Sequence, residues 1–319
     1  MSNLERDPAA LLLECPAPDG FELLEPRLVP LGGPRAMEVR RTLPQRRRSL
    51  IGAWCFLDHY GPEPKQMVVP PHPHTGLATV SWLFAGEIEH RDSTGAHAMV
   101  RPGELNLMTA GHGIQHSEVS TDRSDVLHGA QLWLALPEAQ REHPPFFERF
   151  IPEPVEVDDA TVHVFIGALA GRESTATVFS PLVGAQIDLP AGGRVRLAVD
   201  PAFEHGVLAD RAAVRMSGHD VPADHLGYLP PGSDVLELEA VDGPARIVLI
   251  GGEPFGERIV MWWNFVGRSH DDVVESRARW QAEVIAGAAD DGRFGIIRDF
   301  DGPALPAPEL PNVRLAPRG

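Results

Sequence analysis

Thirty-one glycines and 31 prolines are dispersed along the 319 residues. Each proline fixes φ and removes a backbone donor, and each glycine loosens the chain, so long helices are broken and short strands joined by turns are favoured. The dispersion is too even for collagen or a low-complexity linker. Between these breaks lie stretches that are apolar or alternate: 37–43 (MEVRRTL), 52–59 (GAWCFLDH), 77–84, 87–91, 96–101, 105–108 and 129–136 (GAQLWLAL). A Pro- and charge-rich connector follows at 137–154. A second series comes after it at 161–166, 186–189, 195–199, 211–216, 226–229, 235–240 and 245–250. Two sets of short strands at near-regular spacing predict an all-β chain of two barrels or sandwiches. The first covers 36–158 and the second 159–319, preceded by a Pro-rich extended arm over 1–35.

One helix is expected near 270–286. Ser269 and Asp272 have capping-box spacing, with Asp in place of the usual Glu. Val273, Arg277, Trp280 and Val284 share a face, and Gly287 can stop the helix. Trp262 and Trp263 read as packing residues where the helix returns to a barrel.

The stretch 71–118 carries the chemistry. It opens PPHPHTG and ends MTAGHGIQHSE. His72 and His74 are two apart, as are His116 and Glu118, and side chains two apart on a strand share a face. If the two strands are neighbours, three imidazoles and one carboxylate converge. That donor set suits a divalent first-row metal and leaves positions for water or substrate. An isolated His-x-His is more often a surface or core pair, and fourteen histidines make chance pairs common. Here, however, a strand, a Gly or Pro turn and a ligand pair recur at both ends. Pro71 and Pro73 predict a strand entry or bulge for the first pair. His90, His97 and His112 belong to no His-x-His or His-x-Glu pair and read as structural, with His112 near a pocket mouth. His128 could face the cavity, and Asp58 and His59 read as structural or supporting polar groups. Trp82, Phe84, Met108 and Trp133 are candidate cavity walls, although such residues are more often plain core. The second half has His205, His219 and His225 but no His-x-His or His-x-Glu, so one metal per chain is expected.

HPHTG, MTAGHGIQHSE and HGAQLWLALP, with FLDHYGP (56–62) upstream and VLIGGEP (248–254) downstream, resemble the pirin family of bicupin proteins over roughly residues 40 to 300. The resemblance implies two cupin jelly-roll barrels, the second degenerate, with metal ligands at His72, His74, His116 and Glu118. The glutamate that general cupins place after the second histidine is absent, since Ala78 and Thr79 stand there. The segment MWWNFVGRSHDD departs from typical pirins, which weakens any transfer of substrate detail. The resemblance further implies iron, while nickel, manganese, copper and zinc suit the same donors. It implies a quercetinase-like dioxygenase acting with dioxygen on a flavonol-like or enolisable aromatic substrate, with Glu118 also able to accept the substrate proton. The alternative it carries is a non-enzymatic, iron-dependent regulator acting through a protein partner. A metal-free cupin isomerase using His and Tyr is disfavoured by the intact donor set and by only two tyrosines, Tyr60 and Tyr228.

Charge and cysteine usage narrow the setting. Lys plus Arg is 28 against 45 acidic residues, a net charge of −17. A broad anionic surface disfavours direct contact with nucleic acid or an anionic membrane. The one basic run, Arg46-Arg47-Arg48, reads as a solvated turn. Only Lys65 among the basic residues is lysine, an arginine bias that fits GC-rich codons and a bacterial source. Cys15 and Cys55 form no disulfide framework, which points to a cytoplasmic protein. The N-terminal stretch lacks the basic and apolar regions of a signal peptide, and no apolar run reaches membrane-spanning length.

Overall fold

The computed structural model of the chain describes residues 20–31, 37–64, 67–288 and 292–319. Two barrels each combine a seven-stranded and a four-stranded sheet. In the first, the large sheet runs Phe146–Phe150, Leu105–Thr109, Leu77–Ala85, Leu127–Ala135, Trp54–Glu63, Met37–Leu43 and Arg27–Leu31. Its small sheet runs Val68–His74, Ile114–Ser120, Ile88–Asp92 and His97–Val100. In the second, the large sheet runs Glu22–Leu24, Leu226–Leu229, Glu204–Ala209, Ala245–Gly252, Leu182–Leu189, Ala160–Ile166 and Val155–Val157. The small sheet there is Arg194–Ala198, Val235–Ala240, Val214–Met216 and His219–Val221.

The two large sheets face each other, and strand alternation decides which side chain goes where. On the first barrel's sheet Leu57, Val80 and Leu132 are paired in register and point into the seam. Phe56, Leu77 and Trp133 point into the barrel. On the second, Leu208, Val248 and Ile250 enter the seam, and Val207, Ile247 and Leu249 fill the other barrel. A sheet buried on both faces cannot show a polar–apolar alternation. This is why Leu127–Ala135 is buried at every position and reads as one apolar run. Each large seam residue, such as Trp54, Trp82 or Phe165, contributes about 1.5–3 kcal/mol by leaving water. The barrels touch at backbone level where Gly52, at φ +52°, meets Gly252: a Cβ on Gly52 would stand 2.9 Å from the Gly252 Cα.

Several expectations are corrected. Residues 22–31, expected as part of an extended arm, form two strands that stitch the barrels: Glu22–Leu24 pairs with the second barrel and Arg27–Leu31 with the first. Residues 1–19 and 32–35 of the expected arm lie outside the described residues. Arg48 is not part of a solvated turn. It is buried, pairs with Glu22 at 2.8 Å and Glu204 at 3.7 Å, and lies over the Tyr228 ring. Arg46 and Arg47 are exposed, as expected. Part of the connector forms the edge strand Phe146–Phe150, and Val155–Val157 already belongs to the second barrel, ahead of the boundary expected after 158. Strand Glu204–Ala209 was not expected, and the strand expected at 211–216 forms only over Val214–Met216.

The helix forms at His270–Trp280 and continues as a π turn over Gln281–Ile285. Its capping box joins Ser269 and Asp272, and Val273 and Trp280 are fully buried with Trp262, Trp263 and Phe294. The chain beyond residue 259 returns to the first barrel rather than completing the second. Val266 N–H donates to Thr75, and Leu305 N–H donates to Pro71. Among the described residues no helix is long and apolar enough to cross a membrane.

Candidate metal centre

Two neighbouring strands of the small sheet carry the expected donors. Ile114–Ser120 pairs with Val68–His74, which sets His116 opposite His72 and Ile114 opposite His74. The register slips between His116 and Glu118, because the Val68–His74 strand has an extra residue at Pro70-Pro71. That strand is the sheet edge, where prolines cost no ladder bond. The bulge turns the His72–His74 segment inward.

His72, His74 and His116 are buried, and one nitrogen of each lies within 4.8 Å of the others. The tautomers follow from the partners. His72 Nδ1 donates to the Pro70 carbonyl at 2.8 Å, so a neutral ring carries its lone pair on Nε2. That Nε2 is buried with no hydrogen-bond partner. Nε2 of His74 and Nε2 of His116 face each other at 3.0 Å. Burial pushes the basicity of His72 down to about 3, and that of His74 and His116 well below the ordinary imidazole value. Buried neutral imidazole nitrogens that converge in this way are a donor set for a divalent cation.

Glu118 is buried on the same strand, two residues on, opposite His90. Its carboxylate does not join the three nitrogens within 4.8 Å. It does act on the barrel interior: burial, and then the Glu118 charge, raise the Tyr60 phenol well above its usual range. The Tyr60 hydroxyl is buried without a hydrogen-bond partner.

His90 was expected to be only structural and Asp92 was not singled out, yet both stand directly behind a ligand. Asp92 Oδ2 lies 3.0 Å from His90 Nε2, and His90 Nδ1 lies 3.4 Å from His116 Nδ1. Burial alone would raise the Asp92 carboxyl, but the bonds from His90 and Thr94 hold it below the usual range. As a carboxylate it takes the His90 Nε2–H. His90 Nδ1 is then an acceptor for His116 Nδ1–H, which leaves the His116 lone pair on Nε2, facing His74. Partners of this kind fix a ligand's tautomer and ring angle. Phe147 stacks on His90. The signal that would have found the pair was its own two-residue spacing, His90-x-Asp92, one strand away.

The other candidates separate. Trp133 lies edge-on to His74 and stacks on Phe56, so it lines the site. Met108 packs with Ala110, Ile114 and Phe147 beside it. Trp82 instead points into the seam, stacked on Phe165, and Phe84 lies in the seam beside His128. His128 therefore does not face this cavity. His97 is exposed and paired with Glu89. Asp58 takes a two-pronged bond from Arg41 at 2.7 and 2.8 Å and is structural. His112 lines a cavity of about 490 Å³ beside the ligand strand, with Thr75, Arg141 and Arg293. The C-terminal segment lies across this end of the barrel: Gln115 Nε2 donates to Gly295 and Arg293 Nε to His112.

A bicupin with a cluster of buried histidines in its first barrel is the class of protein that fold and site define. Two family models match the chain: Pirin over residues 36–134, and the pirin C-terminal cupin domain over residues 184–286. A Pseudomonas aeruginosa protein named "Putative quercetin 2,3-dioxygenase PA1205" is 42% identical, covering 89% of this chain and 89% of that protein. A pirin-like protein of Caulobacter vibrioides is 34% identical over 85% of this chain and 94% of its own length. The crystal structure of quercetin 2,3-dioxygenase from Acinetobacter baumannii superposes with a TM-score of 0.84 at 38% identity, covering 92% of this chain and 97% of that one. The chain belongs to the pirin family.

Proposed function

We propose that this pirin is a metal-dependent dioxygenase that opens a flavonol-like or otherwise enolisable aromatic substrate, with His72, His74, His116 and Glu118 as metal ligands. The observation that carries the reading is the convergence of three buried, neutral imidazoles in the first barrel. The names of the 42% and 38% identical relatives support quercetin as the first substrate to try. Iron is the metal the reading favours, with nickel, manganese, copper and zinc chemically acceptable to the same donors. When bound, the metal supplies a Lewis acid that lowers the pKa of a coordinated hydroxyl.

The chain's own residues do the rest. Asp92 and His90 hold the His116 tautomer, and Pro70 holds that of His72. Glu118 compensates charge and, on loosening, takes the substrate proton on a carboxylate oxygen. Trp133, edge-on to His74, gives an apolar wall beside the cluster against which an aromatic ring can pack. Burial keeps bulk water from the reacting atoms. The same burial favours a second reading, since all three histidines are closed off from solvent. In that reading the site is a redox-sensing centre read by a protein partner. The charge of −17 supports a protein rather than DNA as that partner.

Oxygen uptake by the iron-loaded protein with quercetin separates them. The enzyme reading expects flavonol-dependent uptake that His116→Ala abolishes. No uptake with quercetin or any other flavonol, from protein shown to be fully loaded, contradicts it.

A further inference from the structure

The apolar seam between the barrels ends in a polar knot. His59 and His128 enter it from the first barrel and Asp210 from the second, all buried. His59 Nε2 is 2.7 Å from Asp210 Oδ1, and His128 Nε2 is 2.6 Å from the same oxygen. The two Nε2 atoms are 3.4 Å apart. Two imidazole nitrogens and one carboxylate oxygen thus converge on a single point. The two imidazoles lie on the opposite face of the large sheet from the three barrel histidines, on strands Trp54–Glu63 and Leu127–Ala135.

His59 Nδ1 stands 3.3 Å from Asp224 Oδ1, an ion-pair distance without hydrogen-bond geometry, which places a second carboxylate behind the ring. Asp210 keeps Oδ1 for the knot, because Oδ2 is 3.3 Å from Arg246 Nη1 and 3.6 Å from Arg211 Nε. Arg246 is shared with Asp188, and Arg40 pairs with Asp224, so neither cation is left uncompensated. His128 Nδ1 is buried without a hydrogen-bond partner. With His59 and His128 both bare at Nε2, three lone pairs would face one another, and something positive must lie between them. It is either a pair of protons or one divalent cation.

We propose that the knot is a second metal site, for a zinc-like divalent cation held by His59 Nε2, His128 Nε2 and Asp210 Oδ1. Ligand atoms in a tetrahedral zinc site are about 3.3 Å apart. The two nitrogens already have that spacing, and Asp210 needs to withdraw by about 0.6 Å. The ligands come from both barrels, so occupancy ties the barrels together, and binding becomes stability of the pair. The site is independent of the oxygenase reading. Spacing within one strand could not reveal it, which is why a single metal per chain was expected.

The test uses the full-length chain with the barrel site disabled as His72→Ala/His74→Ala/His116→Ala, loaded with Zn²⁺ alone. The proposal expects one retained zinc per chain, a zinc-dependent rise in Tm, and an X-ray absorption spectrum with two imidazoles per zinc. A barrel left with His90 alone cannot give that signature. Adding Asp210→Asn should remove the zinc and the Tm response together. The proposal is overturned if the barrel variant keeps no zinc, if its zinc shows fewer than two imidazoles, or if a folded variant that also carries Asp210→Asn still holds it. Should that last variant not fold, the spectrum of the barrel variant decides alone.

Discussion

Glu118 is the residue on which sequence and geometry differ most. Two-residue spacing places it with His116, and the strand keeps them on one face, but its carboxylate stands outside the histidine cluster. A dication among three neutral imidazoles in a buried barrel leaves charge uncompensated, which is costly. Glu118→Gln should therefore lower metal affinity by about ten- to a hundredfold, a range drawn from losses of supporting groups and so a floor for a ligand. Glu104→Gln is the control, since Glu104 pairs with Arg149 at 2.7 Å; metal content should stay unchanged. Competition against a chelator reads both, and the reverse order of effects would remove Glu118 from the ligand set. A second residue carries a pH dependence. His205 is buried and its basicity is pushed down to about 4. The folded chain keeps it neutral, while the unfolded chain protonates it near 6.5. Below that pH the unfolded state binds more protons, so stability falls as pH drops from about 6.5 towards 4, by up to ~1.4 kcal/mol per unit. Urea unfolding across this range should show a shallower slope in His205→Gln; an unchanged slope would assign the dependence elsewhere.

At the scale of elements, the strands were readable where one face meets solvent or a turn marks the end. Met37–Leu43 and Val235–Ala240 fall where their alternation put them. The His-x-His edge strand was readable because Pro71 and Pro73 exclude a central position. The seam was not, because residues such as His59 and Leu57 lie in one unbroken buried run and nothing local says which partner they meet. Glu204–Ala209 was missed for a related reason: His205 and Gly206 dilute its apolar signal, while Gly206 is needed where Ile51 and Ile250 crowd it. Arg48 was misread because a basic triplet looks solvated until Glu22 and Glu204 are brought to it. Removing the guanidinium leaves Glu204 buried beside Tyr228, and burial already raises its pKa. Arg48→Ala should cost roughly 2–4 kcal/mol in urea unfolding, and Arg46→Ala less than about 0.5 kcal/mol. Equal small effects would mean that the Arg48 contacts contribute little to joining the barrels.

At the scale of the molecule, two barrels share an apolar seam, and the ends of the chain are sewn across it. Strand Glu22–Leu24 crosses to the second barrel before the first has begun, and the C-terminal segment comes back over the ligand strands. Among the described residues the first barrel supplies a histidine cluster that the second lacks, which follows from their sequences: His-x-His and His-x-Glu pairs occur in one half only. The central claim is that a substrate meets a metal held by the three barrel histidines. Anaerobic titration of the iron-loaded protein with quercetin, followed by visible absorption, tests it most directly. The account predicts a shifted flavonol band that saturates at one equivalent and is absent from His116→Ala. A flavonol spectrum that the loaded protein leaves unchanged, or a shift that survives in His116→Ala, would contradict it.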